Sequence, residues 1–298
     1  MKKLRCLVVL LLGALLAGNS RGGTLVVFNM YLGVGTPMGQ LEVELYDQDK
    51  PVTVKNFLHL IQAGAYQNGF FHRLVPGFVL QGGGYYAANP FATNIMVPPF
   101  SNIGVQGNFG NITNEFKVGA FRSNTNGTIA MAKTSDPNSA NSQFFFNLVN
   151  NAASLDDTNN SGGFTVFGHV IRDSNGILNF FNTLSYGRGL VDLSKNYGAN
   201  GNIFTQLPNA LISTNPPPYD DLIYYTISIL NAQVKLQTNG TRQISWNSIT
   251  GLTNRVEYAT NLPPAWQVLS NVVGNGSATN AIDSTTNKAR FYRVHVLY

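Results

Sequence analysis

The sequence has a single cysteine among 298 residues, and only 11% of its residues are charged. One cysteine excludes an intramolecular disulfide and a cysteine-rich zinc site. No glycine-rich loop leads into a helix that begins with a Lys-Ser or Lys-Thr pair, which argues against a phosphate cradle. The histidines show no metal-ligand spacing: His59, His72, His169 and His295. We therefore expect neither a metal nor a cofactor.

Long hydrophobic runs are also scarce, and the only one lies at the N-terminus. The run Leu7–Ala17 follows three positively charged residues and precedes small and polar ones, a pattern typical of a secretory signal. A membrane-spanning helix needs about 20 apolar residues, more than this run supplies. We predict that residues 1–20 are a signal peptide whose cleavage also removes Cys6, and that the mature chain is exported, periplasmic or extracellular, without a membrane span.

The chain has no strong excess of charge. Its formal net charge is +5, and loss of the three positive residues in the predicted signal would leave about +2. A nucleic-acid-binding surface needs a concentrated positive patch, so we expect no nucleic-acid partner.

Short strands are the dominant pattern in what remains. Glycine, asparagine, threonine and serine separate runs of aromatic and β-branched residues, which favours a mainly β fold. In LEVELY, residues 41–46, apolar and acidic residues alternate, which predicts a half-buried strand with Glu42 and Glu44 facing solvent. Further strands are predicted within 71–84, 127–148, 164–170 and 222–229, and irregular structure is predicted at 85–114 and 196–219.

Two segments have helical periodicity instead. The first begins at Pro51 and ends at Gly64, with apolar residues spaced at i, i+3, i+4 and i+7 between them. The second spans residues 175–184, with Asp173 and Ser174 as candidate caps. We predict a helix in each segment.

The composition changes after residue 232. Strand-like runs such as RQISWNSI and RFYRVHVLY alternate with turn residues, which predicts a separate small β module over residues 233–298. This part resembles short β modules at the ends of large secreted bacterial proteins, a likeness that names no chemistry. Four aromatic residues could form a carbohydrate-binding face, although core packing is the expected role: Trp246, Tyr258, Trp266 and Tyr292.

Four separated blocks carry a more specific resemblance. They read FHRLVPGFVLQGG (71–83), GTIAMAK (127–133), SQFFFNL (142–148) and VFGHV (166–170). In this order and spacing they resemble the cyclophilin family of peptidyl-prolyl cis-trans isomerases, in its bacterial type, over residues 24–232. The resemblance implies an eight-stranded antiparallel β-barrel capped by two helices, with a shallow outer groove that receives a proline.

The resemblance also assigns roles to individual residues. Four match the catalytic positions: Arg73, Phe78, Gln81 and Phe145. Seven match substrate-binding positions: Val79, Ala132, Lys133, Thr134, Gln143, Leu155 and Phe164. His72 belongs to one of the matching blocks, but we assign it only a structural role, and we interpret Asp156-Asp157 as a solvated turn.

The expected chemistry explains an arginine beside apolar residues. Rotation about an X-Pro bond breaks amide resonance, with a barrier of about 18–20 kcal/mol. In the twisted transition state the prolyl nitrogen becomes a better hydrogen-bond acceptor, so a fixed guanidinium at Arg73 would favour that state over the planar ground state. No covalent nucleophile is required.

Three positions depart from the family pattern. Val79 stands where methionine is common, and Phe164 stands where other members have histidine or tyrosine. Ser154 replaces a bulky aromatic that contacts cyclosporin in many members, so we expect weak inhibitor binding. These changes affect the expected pocket walls and leave the four catalytic positions intact.

The sequence thus predicts a monomeric peptidyl-prolyl cis-trans isomerase that acts on proline-containing unfolded or flexible polypeptides during the folding of exported proteins. One alternative is a catalytically silent module or chaperone that binds proline-containing segments without isomerising them. Another places the main function in residues 233–298, as attachment to a surface or glycan.

Overall fold

The computed structural model describes residues 24–297 except 34, 108, 212, 231–232, 249–252, 262–263, 276–277 and 286–288. The predicted signal peptide and Cys6 lie outside the described residues, as does the predicted junction at residue 232. Within the described part of the chain, no helix is long and apolar enough to cross a membrane.

Strands make up most of the first 230 residues. Their bounds are β1 Leu25–Leu32, β2 Thr36–Leu45, β3 Arg73–Val75, β4 Val79–Gly82, β5 Tyr85–Ala87, β6 Ile103–Val105, β7 Thr128–Met131, β8 Phe144–Asn147, β9 Val166–Asp173, β10 Ser185–Tyr186, β11 Gly189–Val191, β12 Leu207–Pro208 and β13 Ile223–Leu230. The helices are α1 Pro51–Gln62, α2 Ala152–Leu155, α3 Ile177–Phe181 and α4 Ser194–Tyr197, with 3-10 turns at Gly198–Phe204 and Tyr219–Asp221.

Eight of the described strands form one antiparallel sheet in the order β13-β1-β2-β9-β7-β8-β4-β3. The sheet curls until its two ends meet beside β3. There the Phe71 N–H donates to the Ile223 carbonyl at 2.9 Å, and the Tyr225 N–H donates to the Gly69 carbonyl at 3.1 Å. The predicted mainly β fold with an eight-stranded antiparallel sheet is confirmed.

An aromatic core fills the curled sheet. Phe28 is fully buried and has its ring centroid 5.4 Å from that of Phe144 and 5.1 Å from that of Phe146, both at edge-to-face angles. α1 covers this core with Val54, Phe57 and further apolar side chains, so the helix is held by burial of one apolar face.

The first predicted helix is confirmed. Pro51 opens α1, where its missing N–H removes no helical hydrogen bond, and Gly64 follows the end with a left-handed φ of 71°. The second is shorter than predicted, because only Ile177–Phe181 is helical. Asp173 does act near its start, since its carboxylate accepts from the Ile177 and Leu178 N–H groups at 2.7 and 3.0 Å.

Three predictions of local structure were wrong. The segment predicted to be irregular at 85–114 contains the paired strands β5 and β6, and the one at 196–219 contains the 3-10 turn Gly198–Phe204 and β12. Glu42 does not face solvent: it is 8% exposed and lies opposite Arg172 of β9, whose guanidinium donates to its carboxylate at 2.9 Å. Desolvation raises the pKa of Glu42, and the Arg172 charge acts in the opposite direction.

The remaining described residues form two three-stranded antiparallel sheets. Their strands are β14 Gln233–Leu236, β15 Arg242–Asn247, β16 Thr253–Ala259, β17 Gln267–Val273, β18 Ala278–Asp283 and β19 Phe291–Leu297. Trp246 is 1% exposed and packs with Ile244 and Val256, as a core residue does. Trp266 is instead only half-buried beneath the Arg293 guanidinium, 4.4 Å from its ring centroid.

Candidate active site

Strand alternation produces a second, smaller apolar cluster on the outer face of the sheet. In β4, Leu80 points into the core, whereas Val79 points outward. In β8, Phe144 and Phe146 point into the core, whereas Phe145 points outward beside Val79. The alternation of side chains along each strand therefore separates the residues of the inner core from those of the outer cluster.

Arg73 and Gln81 lie on this outer face. They are directly opposite each other in the β3–β4 ladder, and Gln81 is opposite Phe145 in the β4–β8 ladder. The Gln81 amide donates to the Gln143 side-chain oxygen at 2.7 Å. Arg73 is half-buried, and desolvation lowers its pKa, although a guanidinium remains charged at physiological pH. The ladder thus places a cation beside two side-chain amides.

His72 lies behind this polar group. It is 6% exposed, and its ring centroid is 5.0 Å from that of Tyr85 at a nearly perpendicular angle. Burial, and then the charge of Arg73, lower the pKa of His72 to about 3, against the smaller effect of a hydrogen bond with Gln143. The ring is therefore neutral at physiological pH and adds no charge to the site.

Five predicted wall residues form one apolar cluster on the face of the sheet that carries Arg73. Val79, Phe145 and Leu155 are each 5% exposed or less, whereas Phe78 and Phe164 are half-buried against them. The Phe145 and Phe164 rings are 5.9 Å apart at 68°. Phe78 and Phe164 therefore keep part of their rings accessible at the edge of this cluster.

The 132–134 segment runs along the opposite side of the groove from β3. The Ala132 N–H donates to the Gln143 carbonyl at 2.9 Å, which joins this segment to the amide group described above. Thr134 begins a turn in which its N–H and hydroxyl meet the Ser139 hydroxyl at 2.9 and 2.8 Å. Lys133 differs from its neighbours, because its ammonium is bound to backbone carbonyls of this same chain.

A buried asparagine network that sequence reasoning missed supports the walls. Asn151 donates to the Phe78 carbonyl at 2.8 Å and to the Asn147 side-chain oxygen at 2.7 Å. Asn147 in turn donates to the Asn124 side-chain oxygen at 3.1 Å, and Asn124 donates to the Phe164 carbonyl at 3.0 Å. The network therefore connects the backbones of two wall residues through side-chain amides.

Asp156 belongs to the same network, so its interpretation as part of a solvated turn was wrong. Its carboxylate accepts from the Ser123 hydroxyl at 2.5 Å, and from the Asn124 N–H and side-chain amide at 3.0 and 2.8 Å. One signal was present in the sequence: an asparagine at 147 within an apolar strand needs buried hydrogen-bond partners. Its partners are distant in sequence and were not predictable from it.

The site residues predicted from sequence thus fall into one continuous area of the described structure. Arg73, Gln81 and Gln143 form its polar part. The apolar part contains Phe78, Val79, Phe145, Leu155 and Phe164, and the 132–134 segment borders it. Among the described residues no group of three or more histidine, cysteine, aspartate or glutamate side chains is arranged to hold a metal.

Comparison with known proteins identifies the family of this chain. The family described as "Cyclophilin type peptidyl-prolyl cis-trans isomerase/CLD" matches residues 30–194. The chain is 33% identical over 169 residues to a peptidyl-prolyl cis-trans isomerase of Acinetobacter baylyi, an alignment that covers 57% of this chain and 78% of that protein. It is 40% identical over 138 residues to peptidyl-prolyl cis-trans isomerase A of Dickeya dadantii, covering 46% of this chain and 63% of the relative.

Among solved structures, a cyclophilin-type isomerase of Cryptosporidium parvum aligns with 69% of this chain and 98% of its own, at 20% identity and a TM-score of 0.42. The sequence comparisons alone decide the family. The matched region spans more than half of the chain and contains Arg73, Gln81 and Phe145. The chain therefore belongs to the cyclophilin-type peptidyl-prolyl cis-trans isomerases.

Proposed function

We propose that this isomerase acts through Arg73, whose guanidinium donates to the prolyl nitrogen as the X-Pro bond twists. The nitrogen accepts a hydrogen bond only when its lone pair leaves amide resonance, so the donor stabilises the transition state more than the planar substrate. The single observation that supports this role is the position of Arg73, half-buried and on the same face of the sheet as the apolar cluster around Phe145.

The neighbouring amides give this guanidinium a defined environment. Gln81 is held by strand pairing opposite Arg73, and its amide is hydrogen-bonded to Gln143, whose carbonyl accepts from the Ala132 N–H. A donor that is already in place needs no reorganisation when charge develops in the transition state. We propose that Gln81 and Gln143 also bind the peptide carbonyls on either side of the reacting bond.

The apolar walls would receive the proline ring. Val79, Phe145 and Leu155 form its floor, and the half-buried rings of Phe78 and Phe164 form its sides. Burial of the ring removes water from the reacting bond and strengthens the interaction with Arg73. The segment 132–134 would hold the residue before proline, partly through backbone groups.

The test compares Arg73→Ala and Arg73→Lys with the unchanged chain and with Arg188→Ala, which alters an exposed arginine elsewhere. Cis-trans exchange of a short X-Pro peptide is measured by NMR with catalytic amounts of each protein. We expect Arg73→Ala to lower kcat on the order of 10²- to 10³-fold, the usual cost of one lost transition-state donor, and Arg188→Ala to leave it unchanged. Arg73→Lys should keep only part of the kcat of the unchanged chain, because lysine lacks the planar guanidinium of arginine.

Two results would contradict this proposal. Full activity in Arg73→Ala would place the chemistry elsewhere. Peptide binding by the unchanged chain without faster exchange would instead favour the silent binding module.

We further propose that the protein is exported and acts as a monomer on newly exported chains. The supporting feature is the N-terminal sequence, with its positive residues before an apolar run. Cell fractionation with mass spectrometry of the N-terminus tests export, and light scattering tests the oligomeric state. A product that keeps residues 1–20 in the cytoplasm would contradict export, and a dimer mass would contradict the monomer.

A further inference from the structure

Lys133 is half-buried against the backbone of residues 157–163, which we name the rim segment. Its ammonium donates to the carbonyls of Ser161 and Gly163, at 2.6 Å each. The same nitrogen lies 5.1 Å from the centre of the Phe164 ring. The side chain of Lys133 is therefore occupied within the chain and does not point freely into the groove.

The rim segment has a backbone that needs such support. Ser161, Gly162 and Gly163 are three consecutive residues with left-handed φ values of 55°, 76° and 77°. A residue with a side chain, as at Ser161, is disfavoured in this region. Asn114 adds a second attachment, because its amide donates to the Gly162 carbonyl at 3.0 Å. Lys133 and Asn114 together bind the carbonyls of all three left-handed residues.

The rim segment leads directly into the proline pocket. Phe164 follows Gly163 in the chain, and its N–H donates to the carbonyl of Leu155 at 2.9 Å. Its ring then packs edge-to-face on Phe145. The Gly163 carbonyl and the Phe164 N–H belong to the same planar peptide group. A shift of that carbonyl therefore displaces the backbone that carries the Phe164 ring.

We propose that Lys133 is a positioning residue: its ammonium fixes the rim segment so that Phe164 closes one side of the proline pocket. This inference rests on the site proposed above. A pocket wall contacts the proline ring equally in the planar and twisted states, so its loss weakens binding of both. Lys133 therefore sets KM and leaves kcat nearly unchanged.

The protonation of Lys133 provides a second readout. Desolvation lowers its pKa to about 8, against the opposing effect of Asp136 on its own turn. Other charged groups on neighbouring segments already have partners. Glu115 accepts from the first backbone N–H groups of α1, Lys50 donates to the Glu115 carbonyl, and Asp157 accepts from the Asn159 N–H within the rim segment. Loss of the Lys133 proton would weaken its hold on the two carbonyls, so KM should rise above about pH 8.

The experiment uses the full chain with Lys133→Met, Lys133→Arg and the exposed control Lys55→Met. The substrate is an N-acetylated, C-amidated Ala-Pro peptide without titratable groups. NMR exchange at several peptide concentrations gives kcat and KM between about pH 6.5 and 9.5. The melting temperature at each pH separates a loosened pocket from global unfolding.

We expect Lys133→Met to raise KM about three- to tenfold at every pH, the equivalent of one lost aromatic contact, with kcat within about twofold. Lys133→Arg should keep the low KM and abolish its rise at high pH, since arginine stays charged. Lys55→Met should behave like the unchanged chain.

An unchanged KM in Lys133→Met, or the same pH dependence in Lys133→Arg as in the unchanged chain, would overturn the inference. If Lys133→Met fails to fold, the pH dependence of KM in Lys133→Arg and in the unchanged chain still tests the role of Lys133. Arg73→Ala is measured in the same series. If it abolishes exchange while the Lys133 variants change nothing, only the role of Lys133 is refuted; if it is fully active, the proposed site itself is refuted.

Discussion

The asparagine network should make Asn147→Leu costly although leucine has the same branched arrangement of heavy atoms. Asn147 donates to the side chains of Asn124 and Thr128, and it accepts from Asn151 at 2.7 Å. Thr128 still donates to the Thr125 carbonyl in the variant, and Asn151 still donates to that of Phe78. The Asn124 side-chain oxygen and one amide hydrogen of Asn151 lose their partners.

Each buried polar group left without a partner costs about 1–3 kcal/mol, so two of them lower the free energy of unfolding by about 2–6 kcal/mol. Better packing of leucine offsets little, because Asn147 is 0% exposed and already hydrogen-bonded to polar side chains. In a chain of this size the loss corresponds to a melting temperature lower by roughly 4–24 °C. Because the network holds the carbonyls of Phe78 and Phe164, KM should rise as well.

The assay must follow the curled sheet and not the C-terminal module. Both tryptophans of the chain, Trp246 and Trp266, lie in residues 233–298, so tryptophan fluorescence reports that region. Urea unfolding of the curled sheet is therefore followed by isomerase activity, because far-ultraviolet circular dichroism would also report the strands of the C-terminal module. Asn150→Ala, which alters a neighbouring exposed asparagine, is the control. A loss below about 1 kcal/mol in Asn147→Leu would refute the reasoning, since it would mean that the network contributes nothing beyond volume.

Two further predictions concern residues behind the groove. Between about pH 6.5 and 3 the unfolded chain binds a proton at His72 that the folded chain does not, so the free energy of unfolding should fall as the pH falls. It should fall less in His72→Gln. An equal fall in the urea midpoint from about pH 7 to about pH 4 in both proteins would contradict this. The Tyr225 hydroxyl accepts from the buried Gly83 N–H at 2.8 Å, so Tyr225→Phe should cost about 1–3 kcal/mol in urea unfolding. A variant as stable as the unchanged chain would contradict that second prediction.

Local sequence predicted those elements whose physical cause is local. Pro51, Gly64 and the apolar spacing between them define α1, because helix ends and one buried face are encoded within a dozen residues. The alternation of apolar and acidic residues in 41–46 likewise predicted that Glu42 lies on the outward face of its strand. The prediction failed only for its exposure, since the neighbour that covers it, Arg172, is 130 residues away in sequence.

The candidate site also has a part that the sequence predicted and a part that it did not. Arg73, Gln81 and Phe145 lie in strand blocks that carry the family pattern, so sequence alone located them. The support of the pocket did not have such a pattern: Asn151 reaches Phe78 across 73 positions, and Asn124 reaches Phe164 across 40. Hydrogen bonds between distant segments leave no periodicity, and only the folded chain brings their donors and acceptors together.

The three positions that depart from the family pattern lie on different kinds of element. Arg73 and Gln81 are fixed by strand pairing, whereas Phe164 lies on a connection and Ser154 on the short helix α2, and side-chain hydrogen bonds hold both segments. Connections tolerate substitution better than paired strands do. Val79 is the exception, because it lies on β4 as the 3% exposed floor of the pocket. Substitution at Phe164 or Ser154 should therefore alter which peptides bind, whereas Val79→Met should alter how deeply the proline ring enters. None of these changes should remove the Arg73 guanidinium, the donor that we propose.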